Sequence, residues 1–157
     1  MTVEIAAESP DQGAIGCLIR ESDAYYASLY PPEQNHLLDT TELSAPGVTF
    51  LVARCDGVVA GFGAIAVRDD DETPGARYGE IKRMYVAPAM RGAGLGRKLL
   101  EALEARARAL DLPRLLLETG TLQPEALALY RTAGFEERGP FAGYPDEGFS
   151  LFFEKRL

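Results

Sequence analysis

The sequence predicts a mixed α/β fold in a single domain over residues 1–157, and three observations carry that prediction. Short β-rich runs bounded by turn residues are interleaved with segments of helical period. Three of the runs follow one another as a meander, and the third leads through a glycine-rich turn into a helix, as a crossover between strands requires. Finally, 157 residues, 46% hydrophobic and 25% charged, suffice for one core, and no linker, repeat or low-complexity tract divides the chain.

Val3 and Ile5, set between polar neighbours, alternate as a short strand. Ile15, Leu18, Ile19, Tyr26 and Leu29 then share one face of a helix, which Tyr30-Pro31-Pro32 ends because a residue before proline is pushed out of the helical region. A polar connection containing Asn35 and His36 leads to a short helix around Asp39 to Leu43. Two β-rich runs, 48–54 and 58–67, flank Asp56-Gly57, a pair suited to a hairpin turn. Asp69-Asp70-Asp71-Glu72, followed by Pro74-Gly75, reads as a solvated loop, since adjacent carboxylates repel and are costly to bury. The next strand, 78–86, stops at Ala87-Pro88, because proline has no N–H for a ladder.

Leu95, Leu99, Leu103, Arg106 and Leu110 repeat at helical spacing among good helix formers, which predicts a helix over 94–110. Arg114-Leu115-Leu116-Leu117-Glu118 has the length and apolarity of a buried strand. Pro124 suits the first turn of a helix running through Ala126, Leu129, Tyr130 and Ala133, and Gly134 is placed to terminate it. Runs 135–140 and 148–155 close the chain as a strand pair. The order is β-α-α-β-β-β-α-β-α-β-β, around a central mixed sheet.

Composition excludes several classes of function. Sixteen Lys and Arg against 24 Asp and Glu leave a net charge of −8, the wrong sign for a nucleic-acid binder. The longest charge-free apolar stretch, Val58 to Val67, is far shorter than the roughly 20 residues of a membrane-spanning helix. The start, MTVEIAAESPDQ, lacks the pattern of a secretory signal, so a cytoplasmic location is expected. Cys17 and Cys55 read as reduced and mostly buried thiols, and with one histidine and no CxxC spacing no metal site is expected.

Charge is unevenly spread. Between Arg77 and Arg108 stand eight Lys or Arg and three Asp or Glu, a local excess of +5. At its centre Arg91-Gly92-Ala93-Gly94-Leu95-Gly96-Arg97 joins a strand to a helix, where free backbone N–H groups and the positive end of the helix dipole make an anion site. Three glycines admit close approach of a phosphate, and the arginines add charge-assisted donors; the plain alternative is a tight turn. A Walker loop is excluded, because Arg97 stands where its second glycine belongs and Leu99 follows Lys98. A GxGxxG dinucleotide fingerprint fails at Arg97 and Leu99.

What fits is R/Q-x-x-G-x-G, spelled here by Arg91 to Gly96, after a strand ending in Val86-Ala87-Pro88. This resembles the pyrophosphate-binding motif of the GNAT superfamily of acetyl-CoA-dependent N-acetyltransferases. IKRMYVAP before it, LLLETG after the helix and QPEALALYRTAGF near the C-terminus lie in the same order and spacing as in that family, over essentially the whole chain. The resemblance implies acetyl-CoA as co-substrate, its pantetheine arm between two splayed strands against the backbone of Met84, Tyr85 and Val86. It also implies pyrophosphate held from Arg91 through Gly92, Ala93, Gly94, Leu95 and Gly96 to Arg97. Gln123 stands where many members carry Asn and is expected to reach the cofactor.

Acetyl transfer to an amine needs a proton acceptor for the nucleophile and a proton donor for the departing thiolate. By resemblance Glu80, at the start of the strand that carries Met84, is the candidate base; an ion pair with Lys82, two residues on and on the same face, is its structural alternative. Tyr130, seven residues after Gln123, matches the tyrosine that commonly acts as acid in the family, against the alternative of a core tyrosine. Acceptor contacts are expected from Tyr25, Tyr26, Tyr30, Asn35 and His36, from Lys82, and from Phe141 and Tyr144. The expected reaction is direct attack by a small-molecule primary amine in a ternary complex; a homodimer is one oligomeric state open to the chain. A non-catalytic acyl-CoA-binding module and an acetyltransferase of proteins or peptides are the alternatives.

Overall fold

A computed structural model describes residues 1–32, 40–69, 77–146 and 148–157. Along the chain run β1 (Val3–Ala7), α1 (Gly13–Leu29), α2 (Thr40–Leu43), β2 (Val48–Cys55), β3 (Val58–Arg68), β4 (Tyr78–Val86), α3 (Leu95–Ala109), β5 (Arg114–Gly120), α4 (Pro124–Thr132), β6 (Glu136–Arg138) and β7 (Ser150–Arg156). The order is the one expected. The strands form one sheet, β1-β2-β3-β4-β5-β7-β6. Among the described residues only β4 and β5 pair in parallel, and α3 is the crossover that a parallel pair demands. No helix among the described residues is long and apolar enough to cross a membrane.

Each helix buries the stripe its period dictates. On one face of the sheet Leu100, Leu103 and Ala107 of α3 and Tyr130 of α4 pack on Ile65, Ile81, Leu115, Leu117 and Phe153. On the other, Ile15, Leu18 and Ile19 of α1 and Leu43 of α2 cover Phe50, Val52, Phe62, Ala64 and Tyr85. Asp56 and Gly57 turn the β2–β3 hairpin with φ of 49° and 83°, the double left-handed geometry of a type I′ turn. Gly134, at φ 95°, follows α4.

Three expectations change, one of them in α3: Arg106, placed on the buried stripe with Leu95, Leu99, Leu103 and Leu110, is exposed, and Ala107 is buried instead. Cys17 is exposed while Cys55 is buried; at 100° per residue Cys17 lies about 200° from Ile15 and Ile19 and so faces away from the core. Leu29 is only half-buried, and Ser22 joins the buried face of α1 with its hydroxyl donating to the Ile19 carbonyl at 2.7 Å. Asp69 is exposed, but the rest of the acidic loop, like Asn35 and His36, lies outside the described residues.

Two irregularities shape the sheet's centre. β4 and β5 pair only through Gly79↔Leu115, Glu80↔Leu116 and Ile81↔Leu117, after which β4 continues to Val86 against β3 and β5 to Gly120 against β7. In addition, Lys82 pairs with Ala64 but Tyr85 with Phe62, so Arg83 and Met84 together oppose Gly63, as a β-bulge.

Candidate active site

The parting of β4 and β5 is a cleft of about 530 Å³. Residues 81–86 of β4 line one side and Glu118, Thr119 and Gly120 of β5 the other; α1, the turn before α3, and α4 close it. Beyond Ile81 β4 has no β5 partner, so its edge toward the cleft is left for a ligand.

The glycine turn takes its shape from φ of 87° at Gly92 and 77° at Gly94, the latter capping α3. Side chains there would be strained, and an added Cβ at either would point into open space. Arg91, Gly92, Gly94, Leu95, Gly96 and Arg97 line the cleft, whereas Ala93 is exposed and does not. Arg91 Nε donates to the Val86 carbonyl at 3.1 Å, and its guanidinium lies over Tyr25 and Tyr85.

Tyr26 donates its hydroxyl to the Met84 carbonyl at 2.9 Å, and burial raises its pKa to about 12. Tyr30 accepts from the Leu122 N–H and donates to Gln123 Oε1 at 3.1 Å. A Cβ on Gly120 would lie only 1.8 Å from the Tyr30 hydroxyl, so the glycine makes room for that tie. Tyr30 therefore joins the end of α1 to the start of α4, and the expected cofactor ligand Gln123 has its amide oxygen engaged there while still lining the cleft.

Tyr130 lines the cleft at 6% exposure. Burial pushes its pKa up, and its hydroxyl has no hydrogen-bond partner among the described residues. Its ring packs edge-on against Phe135, so the residue belongs to the core and to the cleft at once.

Glu80, expected as the base, is not on the cleft. It is fully buried, with Oε1 accepting from Arg68 Nε at 3.0 Å and Oε2 from the Tyr144 hydroxyl at 2.7 Å. Lys82 Nζ stands 3.4 Å from Oε2 and donates to Tyr144 at 2.5 Å. The ion-pair alternative is thus realised. Of this group Lys82 lines the cleft and Tyr144 does not; Tyr144 packs on Phe141 and Phe152, its pKa raised by burial and by Glu80.

The carboxylates that line the cleft are Glu118 and Glu125. Glu118 is half-buried where the strands have parted and accepts from Ser150 Oγ at 2.8 Å. Sequence reasoning passed over it as the end of an apolar run; strand alternation, which places it on the face of Leu116 and away from Leu117, was the available signal. Phe149, 36% exposed at the edge of the cleft and 5.8 Å from the Tyr30 ring, was also missed.

A family model described as Acetyltransferase (GNAT) family matches residues 17–135. The chain belongs to the GNAT acetyltransferases. It is 53% identical over 155 residues to the "IAA acetyltransferase" of Azospirillum brasilense, covering 99% of this chain and 98% of that protein. It is 32% identical to the "Aminoglycoside N(6')-acetyltransferase type 1" of Stenotrophomonas maltophilia over 69% of this chain and 74% of the relative. Among solved structures, a Klebsiella pneumoniae chain classed as an acyl-CoA N-acyltransferase superposes with a TM-score of 0.78 at 36% identity, covering 99% of this chain and 97% of that one. The GNAT assignment makes the chain an N-acetyltransferase with acetyl-CoA as the donor. The residues present fit that donor: a turn open at two left-handed glycines and flanked by Arg91 and Arg97, beside a strand edge with no partner.

Proposed function

We propose that this N-acetyltransferase acetylates the primary amine of a small-molecule acceptor by direct attack within a ternary complex. Acetyl-CoA supplies an activated acetyl group when bound. Arg91, Gly92, Gly94, Leu95, Gly96 and Arg97 are the residues that would hold its phosphates, and the backbone of Met84, Tyr85 and Val86 its pantetheine arm. The observation that carries the reading is Tyr130, a buried tyrosine lining the cleft whose hydroxyl has no hydrogen-bond partner among the described residues. With its pKa raised, Tyr130 keeps its proton at neutral pH and is positioned to give it to the departing thiolate.

Glu118 is the carboxylate we assign to the amine's proton, in place of Glu80. It lines the cleft, whereas both oxygens of Glu80 are engaged by Arg68 and Tyr144. In this reading Glu80 fixes Lys82 and Tyr144 below the acceptor, beside Tyr26 and Tyr30. Neither cysteine lines the cleft, which favours direct attack over an acetyl-enzyme. The relatives named for IAA and for aminoglycosides support a small acceptor.

Thiol release from acetyl-CoA over amino acids, polyamines, aminoglycosides and basic peptides tests the acceptor class. Turnover of small amines is expected, and turnover of peptides alone would overturn it. Initial rates with both substrates varied should give intersecting lines; parallel lines would indicate an acetyl-enzyme. Glu118→Gln should lower kcat and shift the acidic limb of its pH profile, which Glu80→Gln should leave in place.

A further inference from the structure

We propose that Arg83 is a positioning residue for acetyl transfer: it clamps α1 to the bulge where β4 leaves β5 and so fixes the backbone of residues 84–86 along the cleft. The inference rests on the acetyl-transfer reading above. Simple alternation along β4 would put Arg83 on the face of Ile81, among Leu100, Leu103 and Leu115. The bulge prevents this. Arg83 adopts φ 61°, and its side chain turns to the opposite face, where one guanidinium nitrogen donates to Asp23 Oδ1 and the other to Ser22 Oγ at 3.1 Å and the Ile19 carbonyl at 3.4 Å. The guanidinium also lies over the Phe62 ring.

The extra residue resets the strand beyond it. Met84 returns to the α3 face, over Gly63, where an added Cβ would meet the Met84 sulfur at 2.8 Å. Tyr85 comes to the α1 face. A second tie, from the Tyr26 hydroxyl to the Met84 carbonyl, comes from the next turn of α1. Successive turns of α1 thus grip consecutive residues of β4, one pair beyond the last β4–β5 contact at Ile81.

The arrangement is a poor one for stability alone. A left-handed arginine is strained and persists only where its surroundings over-determine it. Arg83 Nε is also the one fully buried side-chain nitrogen or oxygen among the described residues that lacks a hydrogen-bond partner. Strain and an unmet donor together, at the point where the strand opens, indicate that the clamp serves geometry.

Arg83→Gly removes the clamp and relieves the left-handed backbone. We expect kcat to fall about a hundredfold, the scale of a small misplacement of reacting groups, with acceptor KM near wild type. Amide hydrogen exchange of residues 84–86, measured without ligand, should accelerate while residues 65–68 of β3, which pair with the start of β4, are unchanged. Arg83→Lys, which keeps the charge and loses the fork, should lose kcat similarly. Asp23→Ala should lose less, and Arg83→Gly combined with Asp23→Ala no more than Arg83→Gly alone. An unchanged kcat, or a loss that only follows the folded fraction with exchange rising across the whole sheet, would overturn the proposal. If Arg83→Gly does not fold, Asp23→Ala, which leaves β4 intact, decides by the same readouts. Absence of wild-type turnover on any amine overturns the transfer reading itself; wild-type turnover with unaffected variants overturns only the clamp.

Discussion

The two halves of β4 differ sharply. From Gly79 to Ile81 the strand is interior, paired on both edges, and Ile81 is packed beneath α3. From Lys82 to Val86 the same strand is bulged, holds an arginine in the left-handed region, loses its parallel partner and borders an open cleft. One half follows the rules that stabilise a sheet and the other breaks several of them within five residues. Stability and chemistry are therefore divided along a single strand, and substitutions in the two halves should give different kinds of loss.

The largest effect is expected from Tyr130→Phe, which removes only a hydroxyl of α4 at the cleft that the open half borders. Its kcat should fall by about a hundred- to ten-thousand-fold, with acetyl-CoA binding, followed by thermal shift, little changed. An unaltered kcat would take Tyr130 out of the mechanism. The pH profile sharpens the point. Because burial raises the Tyr130 pKa above its ordinary value of 10.0, the proton is held throughout neutral and mildly alkaline pH. The unfolded chain ionises its tyrosines near pH 10, before Tyr26 at about 12, so stability is intact below pH 10 and is lost as pH rises above it.

In the core, off the cleft lining, Leu103→Ala should cost about 2–5 kcal/mol in denaturant melts, since Leu103 is fully buried between α3 and the sheet. The folded variant should retain kcat; a loss of kcat larger than the loss of folded protein would break the division drawn above. Gly94→Ala lies between the two kinds. It forces a left-handed alanine, at about 1–2 kcal/mol, and raises the KM for acetyl-CoA because it fills the turn.

The smallest effect belongs far from the opening. Glu8 and Arg54 form a two-pronged, partly exposed ion pair between the segment after β1 and β2, with both bonds at 2.9 Å. Glu8→Gln should cost about 0.2–1 kcal/mol at pH 7. The Arg54 hydrogen bond holds the Glu8 pKa below its usual 4.5, so this stability is present above pH 4.5 and is lost as pH falls through the lowered value; the melt of Glu8→Gln should lack that component.

Most of the closed half was legible in the sequence. Leu95, Leu99 and Leu103 of the α3 stripe, the Asp56-Gly57 turn and the bounds of β4 follow from period, turn chemistry and a terminal proline, all local signals. The open half was legible only where a motif marks it, as at Arg91 to Gly96. Arg83 was not, because alternation counts residues two by two and a bulge adds one without altering composition. Glu118 hid at the end of Leu115-Leu116-Leu117, since whether β5 still has a parallel partner there depends on where a distant strand diverges. Tyr30 could be read as a ligand contact because nothing local reveals that its hydroxyl is already bound to residues more than ninety positions away.

Mechanically, the sheet is two blades, β1 to β4 and β5-β7-β6, joined along a seam of three residue pairs and by the α3 strap. A seam that short would unzip further if its end were loose. At the end of the seam away from the cleft stands Gly79, where an added Cβ would lie 2.6 Å from Ile65 and 2.9 Å from Leu115, so the side chains of both neighbouring strands close over the glycine like a stop on a zip. The sheet opens beyond Ile81, and two pairs deeper it is held at a residue with no side chain.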